Sequence, residues 1–221
     1  MNVENLKVLQ LGKFYPIRGG VEKVAFDLMK GLSERGIECH MLCAAEEGED
    51  RIILLNEHAQ LICTHTWVKA CATMISPSMI FTLRKICGKY DIIHVHSANT
   101  GVLDLLFAKI YGIRIRILHS HSTKYSSKKI RSIRNYFLQF PTIYLANTYF
   151  ACGYKAAEFL FGKKRLEKVY IIHNAIFSKK FIYNATVRER VRVRVRDRAR
   201  VRARDRARDR AGANGAAPPR A

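Results

Sequence analysis

The hydrophobic pattern of the first forty residues predicts a buried strand, a glycine turn and an amphipathic helix. Leu6 to Leu11 is a short apolar run that ends at Gly12, as expected of a strand inside a sheet. After the pair Gly19–Gly20, apolar residues recur at the spacing of one helical face, namely at Val21, Val24, Ala25, Leu28 and Leu32. Gly36 suits the left-handed conformation that commonly ends a helix.

The same alternation of strands and helices continues through the body of the chain. Further apolar runs predict strands near residues 38–43, 51–55, 60–67, 91–96, 113–119, 149–152 and 168–173. Helical spacing predicts helices over residues 76–87, 102–111, 124–145 and 154–161. We expect Pro141 to kink or break the third of these helices. The alternation predicts an α/β fold, a single Rossmann-like domain with an open parallel sheet and helices on both faces.

Three polar segments follow predicted strands, where parallel sheets bind their ligands. They are the Gly19–Gly20 pair, residues 96–101 and residues 119–123, and we expect them to form the rim of one cleft. A glycine pair allows close approach of a ligand, and the helix start beyond it favours a phosphate. Because neither G-x-G-x-x-G nor G-x-x-x-x-G-K-[ST] is present, a plain strand-to-helix turn is the alternative interpretation.

Two H-x-H pairs lie at the ends of two predicted strands: His94 with His96, and His119 with His121. We expect His94 and His96 to point to opposite faces, one into the core and one into the cleft, and we favour His96 for the cleft. The same two alternatives, core or cleft, apply to His119 and His121. A zinc site would need further ligands, and no cysteine or carboxylate accompanies the pairs at a suitable spacing, so we predict no metal.

The charge of the chain favours anionic partners. Of the net charge of +21, residues 187–221 carry 13 Arg minus 4 acids, or +9, and the remaining 26 basic minus 14 acidic residues give +12. Sugar nucleotides, anionic lipid surfaces and nucleic acid all fit a basic body. The six cysteines lack C-x-x-C spacing and indicate reduced core residues. With neither a signal peptide nor a membrane-length apolar run, we predict a cytoplasmic location, including the inner face of the membrane.

The C-terminal segment has an unusual repeat. From Arg188 to Arg210 every even position is Arg, and large apolar residues are almost absent. Such a segment buries too little surface to order itself, so we predict disorder. We interpret it as a frameshifted or misassembled translation of repetitive DNA. It would bind nucleic acid only non-specifically, through phosphate contacts.

Four segments in order resemble glycosyltransferase family 4, in particular bacterial members that build capsule, exopolysaccharide or O-antigen chains. The segments are KFYPIRGGVEKVAFDLMKGLSERG, YDIIHVHSANTG, ILHSHST and VYIIHNAIFSKKF. The resemblance implies the GT-B fold and retaining transfer of a sugar from a nucleotide-sugar donor to a lipid-linked glycan acceptor. It implies no cofactor beyond the donor substrate.

The resemblance also implies roles for individual residues. Gly19 and Gly20 match the loop that faces the donor diphosphate. His121 matches the cleft histidine near the reacting sugar, with His119 as the rival. We assign His121 a binding and electrostatic role, in which it either donates to developing negative charge or hydrogen-bonds the sugar. The implied acceptor-binding residues are His96, Asn99 and Glu22.

A basic and aromatic stretch beyond the second H-x-H pair suits anionic lipid headgroups. Its basic residues are Lys124, Lys128, Lys129, Arg131 and Arg134. The alternative interpretation is a solvated helix face with a buried back, which we favour slightly. A lipid-binding surface would suit an enzyme whose acceptor is a polyprenyl-diphosphate sugar.

Family members continue into a second, nucleotide-binding domain with an E-x7-E motif. We do not find the pattern of such a domain in this sequence. We therefore expect residues 1–177 to be the N-terminal acceptor-side domain of a truncated enzyme, 178–192 the start of the interdomain linker, and 193–221 the Arg-rich tail. Such a chain would have low or no activity alone. A separate chain that supplies the donor domain is one alternative. Another is a non-catalytic Rossmann-like binding module whose polycationic tail binds nucleic acid or membrane.

Overall fold

A computed structural model describes residues 6–12, 19–44, 51–64, 84–85, 88–98, 101–126, 129–175 and 183–214. The chain divides into two compact units, Met1–Ala175 and Ile176–Ala221. None of the helices in these ranges combines the length and the apolar character needed to cross a bilayer.

The first unit is built on a single eight-stranded sheet with the strand order β3-β4-β2-β1-β5-β6-β7-β8. The strands are β1 Lys7–Leu11, β2 Glu38–Ala44, β3 Arg51–Asn56, β4 Ala59–Thr64, β5 Ile92–Val95, β6 Ile115–Ser120, β7 Thr148–Ala151 and β8 Val169–Ile171. All neighbouring pairs are parallel except β3 and β4, which form an antiparallel pair at one edge. The predicted α/β class is confirmed, with this edge hairpin as a departure from a purely parallel sheet.

Helices follow the strands as the sequence predicts. They are α1 Gly20–Ser33, α2 Val102–Ile110, α3 Lys129–Leu145 and α4 Tyr154–Phe161, with a 3₁₀ segment at Lys163–Lys168. Gly36 takes the predicted left-handed conformation with φ of 77°. Pro141 lies inside α3 and does not end it, contrary to one of the two outcomes we expected. Most of the helix predicted over residues 76–87 lies outside the described residues.

Side-chain alternation along the strands produces two apolar layers, one on each face of the sheet. Val8 packs with Ala25 and Met29 of α1 on one face. Leu9 and Leu11 pack with residues of α2, α3 and α4 on the other. Because both faces of the central strands are covered, polar side chains on them are buried as well. This burial sets the chemistry of the site below.

The second unit differs from the sequence prediction. Residues Ala185–Asn214 form one helix, α5, where we expected disorder. Arg and Ala are strong helix formers, and the ion pair between Arg192 and Glu189 spans one turn at 3.9 Å. The valines of α5 whose burial is described are about half exposed, so this part of the helix shows no buried apolar stripe. Its order therefore depends on local propensity rather than on packing.

A histidine-lined candidate active site

A cavity of about 310 Å³ opens where the first βα unit meets the ends of β5 and β6. Its wall includes Val21 at the start of α1, residues 96–98 after β5, and residues 119–122 at the end of β6. Two of the three predicted rim segments therefore meet at one cavity, while the first βα unit contributes Val21, next to the Gly19–Gly20 pair, and not the pair itself. Asn135 and Gln139, on the buried side of α3, and Phe159 of α4 contribute to the wall.

All four histidines of the two H-x-H pairs stack against one another beside this cavity. The ring centroids of His94 and His96 lie 4.2 Å apart, and those of His119 and His121 lie 4.0 Å apart. Between the strands, His94 and His119 are 5.2 Å apart, and His96 and His121 are 5.1 Å apart. Both strands therefore contribute two rings to a single array.

The prediction that His94 and His96 point to opposite faces is wrong. Residues two apart on a strand share a face, whereas adjacent residues alternate. Ile93 and Val95 accordingly enter the apolar layer on the other face of the sheet. His94, His96 and His119 are buried, and His121 is partly buried. His96 and His121, the two that we favoured for the cleft, both line the cavity, and so does His119.

Hydrogen bonds connect the rings in two pairs. His94 Nε2 lies 3.1 Å from His119 Nδ1, and His96 Nδ1 lies 2.8 Å from His121 Nε2. The other nitrogen of His96, Nε2, lies 2.5 Å from the amide oxygen of Gln10. The sequence prediction missed Gln10, although a lone amide inside an otherwise apolar strand is a signal that something polar lies beside it.

Burial keeps these histidines neutral near pH 7. Desolvation is the largest cause for each of them, and neighbouring histidines add to it for His94, His96 and His119. The pKa of His94 falls to about 3, that of His119 to about 2 and that of His121 to about 4. The pKa of His96 also lies well below its ordinary value. The array therefore acts through neutral imidazoles, each with one N–H donor and one bare nitrogen.

The array has nitrogen atoms close enough together to raise the question of a metal. One ring nitrogen from each of His94, His96 and His119 lies within 4.8 Å of the others. The planes of His94 and His119 are only 8° apart, however. Ring nitrogens bind a metal through lone pairs in the ring plane, and the hydrogen bond between His94 Nε2 and His119 Nδ1 already occupies one such lone pair. A tetrahedral site would require the rings to rotate.

The predicted phosphate loop is described from Gly19 onward, while residues 13–18 lie outside the described ranges. Gly19 precedes α1, and its backbone is extended. A side-chain carbon at Gly19 would clash with the Glu22 carboxylate, whereas one at Gly20 would meet nothing within 4 Å. The Glu22 carboxylate therefore lies over the start of α1, where a donor phosphate would have to bind.

The other predicted site residues are distributed differently. Lys124 lines the cavity. Arg134 donates two hydrogen bonds to the Asn135 amide oxygen, at 3.2 and 2.9 Å. Lys129 and Arg131 are exposed on α3 and do not line the cavity. Asn99 and Lys128 lie outside the described residues.

A further buried group was not predicted from the sequence. Asp104, in the first turn of α2, is 2% exposed, and its Oδ1 has no hydrogen-bond partner among the described residues. Burial raises its pKa from 3.8 to about 7. Asp104 follows Gly101, Val102 and Leu103 in a helix start, where sequence alone indicates an ordinary exposed acid.

Comparisons with known proteins agree with this fold. The structure of Anabaena Alr3699/HepE in complex with UDP and glucose superposes with a TM-score of 0.59 at 16% identity, and the match covers 86% of this chain and 50% of that one. EpsF of Bacillus subtilis (strain 168), which bears the name of a glycosyltransferase, is 32% identical over 102 residues, which cover 44% of this chain and 26% of EpsF.

A second curated relative comes from Escherichia coli. The UDP-Gal:alpha-D-GlcNAc-diphosphoundecaprenol alpha-1,3-galactosyltransferase is 22% identical over 121 residues, which cover 54% of this chain and 31% of that enzyme. The matches therefore span between a quarter and a third of the length of these two relatives. A model of the family described as Glycosyltransferase Family 4 matches residues 18–180, well over half of the chain. The chain belongs to glycosyltransferase family 4.

Proposed function

We propose that the first unit is the acceptor-side domain of a retaining glycosyltransferase. The enzyme would transfer a sugar from a nucleotide-sugar to a lipid-linked glycan in bacterial capsule, exopolysaccharide or O-antigen synthesis. The observation that carries this proposal is the histidine-lined cavity beside the start of α1, at the carboxyl ends of the strands of a family 4 chain. That is the edge at which open α/β sheets bind their ligands.

The donor diphosphate binds, in this proposal, at the start of α1. Free backbone N–H groups and the helix dipole favour an anion there, and the open space around Gly20 leaves room for it. The Glu22 carboxylate must move away when the phosphate binds, because like charges repel. Glu22 is then free to bind an acceptor hydroxyl, together with His96 and Asn99.

The reaction replaces the bond between the sugar and the diphosphate by a bond to an acceptor hydroxyl, and the hydroxyl proton leaves with the diphosphate. His121 has a binding and positioning role, and no protein nucleophile is assigned. Closure of a second domain over the cavity would position the donor and exclude water. We therefore expect low or no transfer by the first unit by itself.

A lipid-linked acceptor also fits the exposed surface of α3. Ile130, Ile133 and Phe137 are 85%, 61% and 65% exposed at helical spacing, and Lys129 and Arg131 lie beside them. An apolar stripe with flanking cations suits the interface of an anionic membrane. The E. coli relative is named for an acceptor on diphosphoundecaprenol. We propose peripheral contact with the cytoplasmic face of the membrane.

Ligand titration tests the proposal on the chain as it is. We expect wild-type protein to bind UDP-sugars weakly and to bind a short-chain polyprenyl-diphosphate sugar, and we expect His121→Ala to weaken binding of the sugar compound at least tenfold. Gln60→Met is the control, since Gln60 pairs with His40 at another place in the sheet. Adding the donor-side domain of a family 4 relative should then produce sugar transfer.

The alternative is a non-catalytic binding module whose α5 helix binds nucleic acid or membrane. Its 13 Arg against 4 acids over residues 187–221 are the observation that favours it. Tight DNA binding together with no binding of either sugar compound would reject the glycosyltransferase proposal in favour of this module.

A further inference from the structure

We propose that Gln10 is a positioning residue that fixes the tautomer of His121 through His96, so that the bare nitrogen of His121 is Nδ1. His121 would then accept a hydrogen bond from a hydroxyl of the bound sugar rather than donate one to a phosphate or another oxyanion. The identity of the ligand rests on the function proposed above. The tautomer itself rests on the geometry of three side chains.

The orientation of the Gln10 amide begins the argument. Gln10 is fully buried on β1, the central strand. Its amide nitrogen lies 3.8 Å from the sulfur of Cys39, so that side of the amide faces β2. Its oxygen lies 2.5 Å from His96 Nε2. Because a carbonyl oxygen only accepts, the proton in this hydrogen bond belongs to His96 Nε2.

The proton on His96 decides the next hydrogen bond. A neutral imidazole carries one N–H, so His96 Nδ1 is bare once Nε2 is protonated. His121 Nε2 lies 2.8 Å from this bare nitrogen and must therefore be the donor. His121 in turn keeps Nδ1 bare. If the Gln10 amide were reversed, its nitrogen would donate to His96 Nε2. His96 and His121 would then each carry the proton on the other ring nitrogen, Nδ1.

The bare nitrogen of His121 has an unmet requirement. His121 lines the cavity, yet its Nδ1 is buried and has no hydrogen-bond partner among the described residues. A buried acceptor without a donor is unfavourable. A sugar hydroxyl would supply such a donor once ligand binding gives it access to this nitrogen, whereas a phosphate oxygen has no proton to give at neutral pH. The array is therefore suited to a hydroxyl and repels an oxyanion at this position.

Nitrogen NMR of the full chain tests the tautomer directly. Protein labelled with ¹⁵N-histidine is measured at pH 7.5, and the His121 signals are identified by their loss in a His121→Asn variant. We expect Nε2 of His121 to show the shift of a protonated nitrogen and Nδ1 that of a bare one. A protonated Nδ1 in the wild-type protein would overturn the proposal without any variant of Gln10.

Variants test the role of Gln10. Gln10→Met removes the acceptor with little change in volume, and we expect His121 to lose its single tautomer and to show a mixture. His96→Phe interrupts the same connection at the next residue and should have the same effect. Gln60→Met, the matched control, should leave His121 unchanged. A folded Gln10→Met protein that keeps the pure Nε2–H form of His121 would reject Gln10 as the positioning residue.

The two proposals fail separately in these experiments. If the tautomer is as expected but no sugar compound binds, the glycosyltransferase proposal fails and the role of Gln10 stands. If sugar compounds bind while His121 carries its proton on Nδ1, the tautomer proposal fails alone.

Discussion

The ionisation of His94, His96, His119 and His121 links the site to the stability of the fold. In the unfolded chain each would take up a proton near pH 6.5, whereas burial in the folded protein lowers the pKa of each and keeps it neutral well below that pH. Between these limits the unfolded state binds more protons. Their contribution to stability is therefore complete above pH 6.5 and is lost as the pH falls.

This linkage predicts a steep acid dependence. We expect each histidine to reduce the free energy of unfolding by up to about 1.4 kcal/mol per pH unit below pH 6.5. Urea unfolding at pH 7.5, 6 and 5 measures the slope. His121→Gln should remove one histidine's share of it. Equal slopes for wild type and His121→Gln would contradict the prediction.

Asp104 changes the stability of the fold with pH in the direction opposite to that of the histidines. The pKa of its carboxyl is about 7 in the folded protein and 3.8 ordinarily, so the folded state keeps the proton up to a higher pH than the unfolded state does. The stability that it contributes is thus present below pH 3.8 and is lost as the pH rises toward 7. We expect Asp104→Asn to be more stable than wild type at pH 8, by up to a few kcal/mol, and the difference to shrink at pH 5. A constant difference across this range would show that burial does not shift this carboxyl.

At the scale of single elements, the start of α2 has no room for a side chain. A carbon added at Gly101 would lie 2.7 Å from the Ser97 backbone oxygen and would clash with the Val95 side chain. The backbone at Ser97 cannot shift without disturbing its neighbours, so Gly101→Ala should lower the free energy of unfolding by about 1–3 kcal/mol. Gly88→Ala, whose added carbon meets nothing within 4 Å, is the control for a glycine in an open turn. Urea midpoints that are equal for the two variants would contradict the argument.

The exposed stripe of α3 predicts a membrane contact that depends on apolar side chains. We expect Ile130→Ser and Phe137→Ser each to reduce binding to anionic vesicles several-fold, because each removes apolar surface from the interface. Ile110→Ser is the matched control, since Ile110 is 63% exposed on α2. Sedimentation with vesicles should be done on the full chain and on a chain shortened at residue 186, so that α5 does not mask the effect. Equal losses for Ile110→Ser would remove α3 as the contact.

At the scale of the whole molecule, positive charge is divided between the two units. Removing residues 187–221 takes away +9 and leaves +12. We expect the shortened chain to lose most of its affinity for DNA and most of the salt dependence of that binding, because counterion release scales with the number of phosphate contacts. Binding of sugar compounds should be unchanged. A parallel loss of both would mean that α5 takes part in the sugar site.

Periodicity alone was sufficient for much of the fold. The apolar run of β1, the helical spacing of α1 and the glycine at position 36 are local signals, and each predicted its element closely. The α/β class followed from their alternation, and the meeting of the segments after β5 and β6 at one cavity followed from the common edge at which parallel strands end. Family membership followed from four short segments in order, and the family model covers all of them in whole or in large part.

Other features depend on which chain segments meet. The burial of Gln10, and its hydrogen bond to a histidine 86 residues later, exists only because β5 pairs with β1. The pairing of β5 with β6 brings the four histidines together on one face, and burial keeps them neutral. Burial in the folded chain likewise raises the pKa of Asp104. For α5 the local propensity of Arg and Ala gave a helix where composition indicated disorder. Sequence thus determined the elements and the edge at which the site lies. Tertiary structure alone decided the protonation of its groups, because burial and hydrogen bonding depend on neighbours far apart in the chain.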